Sequence, residues 1–196
     1  MSSDLASAKR QLRRVMAERR QAVTAAAARA AARTVADHLL ADPRVRAAPR
    51  VALYAALSDE LPTLPLFEAL GALGRQRLLP RILSGEIEFA AVEFWEELRP
   101  GFFGVLEPPE DRLPVEPAAG DVAIVPGVAF DACGQRLGRG KGYFDRAFSG
   151  ARSALPLLIG VGYEVQIVPA VPYDSRDRSM DAIVTERGLR WIPRDT

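Results

Sequence analysis

Apolar positions recur through residues 4–20 at about 100° per residue, so Leu5, Ala8, Leu12, Val15 and Met16 share one face and predict a helix. Lys9, Arg13 and Arg20 form a stripe along the edge of that face and can reach a neighbouring cleft, whereas Arg10 and Arg14 point to the other side. Thr24 can cap a second, alanine-rich helix running to about Leu40. The pattern then changes to short apolar runs. Residues 50–56 read as the first buried strand, 63–73 as a helix, 77–80 as a short strand, and 87–92 as another beyond the Ser84-Gly85 turn. Residues 108–120, with four prolines, form a surface connector into the run Val122, Ala123, Ile124, Val125. A further buried strand is expected over 156–163, and residues 182–185 and 189–192 finish the sheet or its edge. Trp95, Phe102 and Phe103 are assigned to core packing. Strands alternating with helices predict an α/β fold with an open sheet and helices on both faces.

At 196 residues the chain is read as one domain spanning 1–196, and 48% hydrophobic with 26% charged residues is close to the globular average. No apolar run approaches the roughly 18 residues of a membrane span. The Arg- and Ala-rich start has some character of a transit peptide, but it lacks serine richness and merges into elements the fold needs. A net charge of +1 gives no general attraction to nucleic acid or anionic membrane, so an anion site must come from local clustering. The single cysteine, Cys133, excludes an internal disulfide and a cysteine-based zinc site, and suits a reducing, cytoplasmic setting. It has no histidine near it in sequence to activate it. The only histidine, His38, falls on the alanine-rich helix, where a packing role is expected. Assembly is not legible, and a monomer is the default expectation.

The clustering is found in residues 125–145, VPGVAFDACGQRLGRGKGYFD. A strand ends at Pro126-Gly127 and a helix can open at Tyr143; between them Gly134, Gly138, Gly140 and Gly142 let the backbone approach a ligand. Arg136, Arg139, Lys141 and Arg146 add positive charge, so the natural ligand is a polyphosphate. Neither standard phosphate motif fits. A P-loop needs Ser or Thr after its Lys, and Gly142 follows Lys141; the third glycine of a dinucleotide fingerprint would fall at Tyr143. Charge and glycine alone leave open a solvated arginine-rich loop, a different phosphotransferase, or a non-catalytic nucleic-acid binder. Basic residues number 24 arginines but only two lysines, Lys9 and Lys141.

The string PGVAFDxxGxRLGRGKGYFD resembles the signature of the 5-formyltetrahydrofolate cyclo-ligase family, also called 5,10-methenyltetrahydrofolate synthetase. SxKRxLRxxM, GFFGVLEP and the Glu60 segment resemble the family elsewhere, so the likeness covers nearly the whole chain. It implies a three-layer Rossmann-like fold and ATP-dependent conversion of 5-formyltetrahydrofolate to 5,10-methenyltetrahydrofolate, with ADP and phosphate released. It further implies ATP contacts at Lys9, Arg10, Gln11, Leu12, Arg13, Arg136, Leu137, Gly138, Arg139, Gly140, Lys141, Gly142, Tyr143 and Phe144. Folate contacts are implied at Ala55, Glu60, Arg139, Gly140, Lys141, Gly142 and Tyr143, a catalytic role for Lys141 and Arg139, and Mg2+ at Asp145 and Asp177. Two departures stand out: Phe144 replaces a second Tyr, and Arg176 replaces a His. Asp181 also matches the family pattern and has an equally good structural reading.

Overall fold

The structure is a computed structural model in which residues 2–193 are described. Helix α1 (Ser2–Gln21) is followed by α2 (Ala25–Ala41), and the Thr24 hydroxyl accepts from the Ala27 N–H as an N-cap should. Asp42 caps α3 (Pro43–Ala47) by accepting from the Arg44 N–H at 2.8 Å, and its other oxygen accepts from the Trp191 indole at 2.8 Å. One residue thus ends α2 through its backbone N–H, and its side chain starts α3 and ties it to the far edge of the sheet.

Then come β1 (Arg50–Ala52), α4 (Leu64–Ala72), the hairpin of β2 (Gln76–Leu83) and β3 (Glu86–Val92), and a small ribbon of β4 (Arg99–Pro100) and β5 (Leu106–Glu107). The central strand β6 (Val122–Pro126) leads into a second ribbon, β7 (Ala129–Phe130) and β8 (Arg136–Leu137), and then into the short α5 (Tyr143–Ala147). β9 (Leu157–Val161), β10 (Ala182–Thr185) and β11 (Gly188–Trp191) complete the chain. The seven-stranded sheet runs in the order β11-β10-β9-β6-β1-β2-β3. Its five middle strands are parallel, and the edge strands β3 and β11 return antiparallel through tight hairpins.

Strands buried on both faces need cover on both, and here the two covers differ. On one face Val35, Leu39, Phe67 and Leu70 of α2 and α4 pack on Val51, Leu79, Ile124 and Val184. Alanines 31, 32 and 36 let α2 lie close to the strands. Leu39 and Leu70 are fully buried, so either Leu→Ala change removes about 2–5 kcal/mol of stability. The opposite face, led by Ala123, Val125, Leu158 and Ile183, is covered by Phe130, Met180, Phe148 and α5, so its helical layer is one short helix plus loops. Met16 of α1 packs against Val128, Ala129, Leu137, Val168 and Val171, which draws α1 over the loops beyond β6.

Three local expectations need correction. Of residues 50–56 only Arg50–Ala52 pair as strand, because the chain leaves the sheet after a last bond from the Leu53 N–H to the Leu78 carbonyl at 2.8 Å. β2 instead outruns its expected end at Pro80. β1 pairs only with residues 76–78, so Pro80 has no ladder bond to give on that side, and Pro80 sits opposite Phe89 on the other. Phe102, assigned to the core, is 55% exposed on a 3-10 turn, while Trp95 does pack edge-on to Phe67. The side chain of Phe103 lies outside the described residues.

Candidate active site

After β1 the chain crosses to β2 on one side, and it later returns to β6 on the other, so the strand order reverses between β1 and β6. A crevice opens beyond the carboxyl ends of parallel strands at such a point. The segments leaving these two ends are residues 53–60 and 127–145, which hold Glu60 and the glycine-rich loop.

The ribbon β7–β8 starts the loop, closed by the Val128 N–H donating to the Leu137 carbonyl at 2.6 Å. Gly140 (φ +101°) and Gly142 (φ +68°) then take left-handed backbone that other residues resist, so Lys141 is carried on a turn between them. A Cβ at position 140 would stand 3.4 Å from the Arg13 guanidinium carbon, which shows how closely α1 approaches. Arg13 Nε donates to the Gly138 carbonyl at 2.9 Å. From the other side Arg146 donates to the carbonyls of Lys141 (2.9 Å) and Gly85 (3.1 Å), tying the loop to the β2–β3 turn. Arg146, expected to add positive charge to the loop, is here also a tie.

The remaining charges pair across long stretches of chain. Arg136, 5% exposed, places Nη2 2.6 Å from Asp145 Oδ1. Arg139 binds Asp59, and its Nε lies 2.9 Å from Glu60 Oε1. Burial works against the Arg139 charge, but the bonds to Glu60 and Asp59 outweigh it and raise its pKa. Arg20 reaches the other oxygen of Asp59 at 2.9 Å. Lys9 Nζ lies 2.5 Å from Asp177 and 3.7 Å from Asp174. Hydrogen bonds from Arg176, with Lys9 assisting, hold the Asp174 carboxyl well below the usual carboxylate range.

Between these segments is a cavity of about 380 Å³. One side is apolar, with Ala55, Leu57, Pro80, Ile82, Ile87 and Val105; the other is the loop with Arg136, Arg139, Lys141, Tyr143 and Asp145. Glu60 and Glu107 are the other carboxylates on its wall. Burial pushes the Glu107 carboxyl up, against a bond from the Phe102 N–H at 3.2 Å.

Most of the expected positions therefore meet here. Ala55, Glu60, Arg136, Gly138, Arg139, Lys141, Gly142, Tyr143, Phe144 and Asp145 all border the cavity, and Gly140 lies between two of them. Phe144 stacks near Phe148, with ring centroids 6.4 Å apart, so the ring in place of the family Tyr serves the core as well. Lys9 and Arg13 of α1 do not border the cavity: Arg13 holds the Gly138 carbonyl of the loop, and Lys9 pairs with Asp177, which also lies off the cavity wall. Leu12 and Leu137 point into the apolar cluster around Met16, and Arg10 and Gln11 are exposed on the far side of α1, so none of these four side chains reaches the cavity. Arg176 is exposed and bound to Asp174. The sequence sets Ser58, Asp59 and Glu60 together beyond the end of β1 but gives a role to Glu60 alone, and it offers no signal for the hairpin wall at Ile82 and Ile87.

Among the described residues no group of three or more His, Cys, Asp and Glu side chains converges as a metal cage. The N–H of Arg178, the residue after Asp177, donates to Asp145 Oδ1 at 3.2 Å, so the backbone links the two segments that carry these carboxylates. Arg136 uses the same oxygen, leaving Oδ2, and Asp177 likewise receives Lys9 and the Asp174 N–H on Oδ2. Two carboxylates with an oxygen to spare suit a cation that draws most of its shell from water and phosphate.

The 5-formyltetrahydrofolate cyclo-ligase family model matches residues 5–186. The 5-formyltetrahydrofolate cyclo-ligase of Escherichia coli (strain K12) is 31% identical over 172 residues, covering 86% of this chain and 94% of that one. That of Mycolicibacterium smegmatis is 32% identical over 146 residues, covering 71% and 75%. The solved structure of Aquifex aeolicus 5,10-methenyltetrahydrofolate synthetase superposes with a TM-score of 0.83 at 31% identity, covering 96% of this chain and 94% of that one. With the family matched nearly end to end and its glycine-rich loop seated at the strand-order reversal, the chain belongs to the 5-formyltetrahydrofolate cyclo-ligase family.

Proposed function

We propose that this chain uses ATP to cyclise 5-formyltetrahydrofolate to 5,10-methenyltetrahydrofolate, releasing ADP and phosphate. The observation that carries the reading is the two-sided cavity, in which an apolar wall suited to a fused ring faces a glycine loop suited to a polyphosphate. A formamide carbonyl is a poor electrophile. Transfer of the γ-phosphoryl group to the formyl oxygen breaks the bond to ADP and leaves an iminium-like carbon. N10 of the same folate attacks that carbon, its proton passes to phosphate, and the C–O bond breaks as phosphate leaves.

These steps need positioning and charge rather than a covalent enzyme nucleophile. Lys141 meets the transferred group, Arg139 and Arg136 balance phosphate charge, and Lys9 and Arg13 close over them from α1. Glu60, Ala55 and Tyr143 hold the folate. Asp145 and Asp177 would hold Mg2+, which when bound offsets charge on the phosphates. The expected partners are these small molecules, and the expected setting is the cytoplasm. The test follows methenyl absorbance with 5-formyltetrahydrofolate, with and without ATP. Product that forms only with ATP supports the reading; ATP hydrolysis without methenyl product, or product without ATP, overturns it.

A further inference from the structure

Arg20 stands at the end of the α1 stripe, 6% exposed, and does not border the cavity. Its Nη2 lies 2.9 Å from Asp59 Oδ2, while its Nε and Nη1 are buried with no hydrogen-bond partner. Asp59 Oδ1 accepts from Arg139, which also holds Glu60. One carboxylate is thereby divided between two guanidiniums of different freedom. Arg20 is enclosed, with 4% of its side chain exposed; Arg139 is on the loop, with 40% exposed.

We propose that Arg20 and Asp59 are positioning residues that set how readily Arg139 leaves the Asp59–Glu60 pair for the nucleotide. This rests on the reading that Arg139 contacts ATP. Asp59 competes with phosphate for Arg139, since both offer oxygens to the same guanidinium fork. Arg20 weakens the competitor, because it neutralises part of the Asp59 charge and keeps its Nε and Nη1 donors unused. When Arg139 swings away, the half-buried Asp59 keeps Arg20 as its partner, and the unused donors of Arg20 can take the released oxygen. Burial lowers the Arg20 pKa, with Asp59 opposing and Arg139 adding to the fall, which agrees with two cations sharing one anion.

The two partners of a single ion pair then have opposite effects on ATP binding, which a purely structural pair does not. Affinity for ATP with magnesium, by calorimetry without folate, should weaken in Arg20→Met, where the whole Asp59 charge falls on Arg139. It should tighten in Asp59→Asn, each by roughly 3- to 5-fold, the size of a partly exposed ion pair. Arg20→Met/Asp59→Asn should match Asp59→Asn, and it avoids leaving either partner buried alone. If Arg20→Met does not fold, the other two variants still decide, because both must bind ATP more tightly than wild type. Weakened or unchanged binding in Asp59→Asn and the double variant overturns the proposal. Arg139→Gln is the control: unchanged ATP affinity there would mean that the reading of Arg139 is wrong, while a loss there with no gain in Asp59→Asn would sink this inference alone.

Discussion

Arg136 and Asp145 face each other from β8 and α5, their Nη2 and Oδ1 atoms 2.6 Å apart, and this pair clasps the two ends of the glycine loop. The second oxygen of Asp145 is the one open to a cation. Asn can retain the acceptor used by Arg136 and the Arg178 N–H but loses the charge. Asp145→Asn should therefore raise the magnesium needed for turnover by roughly 10-fold or more, with folate affinity little changed. Magnesium titration of methenyl formation beside folate binding checks this, and a wild-type magnesium profile would contradict it.

Lys141 is held between two glycines in left-handed backbone, with its carbonyl fixed by Arg146. Lys141→Arg keeps the charge but swaps a compact ammonium for a broad planar fork on a turn that the proposed function sets close to the phosphates. Turnover should fall roughly 10-fold or more while ATP affinity falls much less. Near-normal turnover at saturating ATP would make Lys141 generic positive charge.

Asp181 is 5% exposed; its Oδ2 accepts from the Leu158 N–H at 2.8 Å and pairs with Arg152. Asp181→Ala leaves a strand N–H and a guanidinium short of a partner. A loss of about 2–3 kcal/mol follows, read as a fall of roughly 5–10 °C in melting temperature. The KM values for ATP and folate should not move, and a raised KM with unchanged melting would assign Asp181 to the site instead.

Tyr163 donates to the Glu60 carbonyl at 3.1 Å, and burial, with Glu186 next, pushes its phenol up to about 12. The unfolded chain ionises this group near pH 10, so its contribution is complete below pH 10 and is lost as pH rises toward 12. Denaturant melts from pH 9 to 12 should show a shallower loss of stability in Tyr163→Phe, and identical slopes would refute the assignment.

The loop was legible because its chemistry is contiguous. Residues 136–145 hold glycines, cations and a carboxylate in one string, so an anion site is one reading of composition alone, and the match of the whole string to the family signature favours it. Helix α1 was equally readable, since the predicted stripe of Lys9, Arg13 and Arg20 is the side that is covered in the fold. What Arg139 binds was not readable: Asp59 lies 80 positions away and Glu60 79, and no local period links them. Lengths of strands were similarly hidden, because Pro80 reads as a breaker until one knows that β1 stops pairing before it.

Helix α1 ties the beginning of the chain to its end: Lys9 and Asp177 are 168 positions apart, and Arg13 and Gly138 are 125 apart. During synthesis α1 emerges well before residues 128–171, which supply the buried apolar partners of its Met16. At about 5–20 residues per second it waits roughly 10–30 s with that face unburied. The Lys9–Asp177 and Arg13–Gly138 contacts consequently form late, and a chain released before Asp177 is translated carries the glycine loop without the Lys9–Asp177 pair.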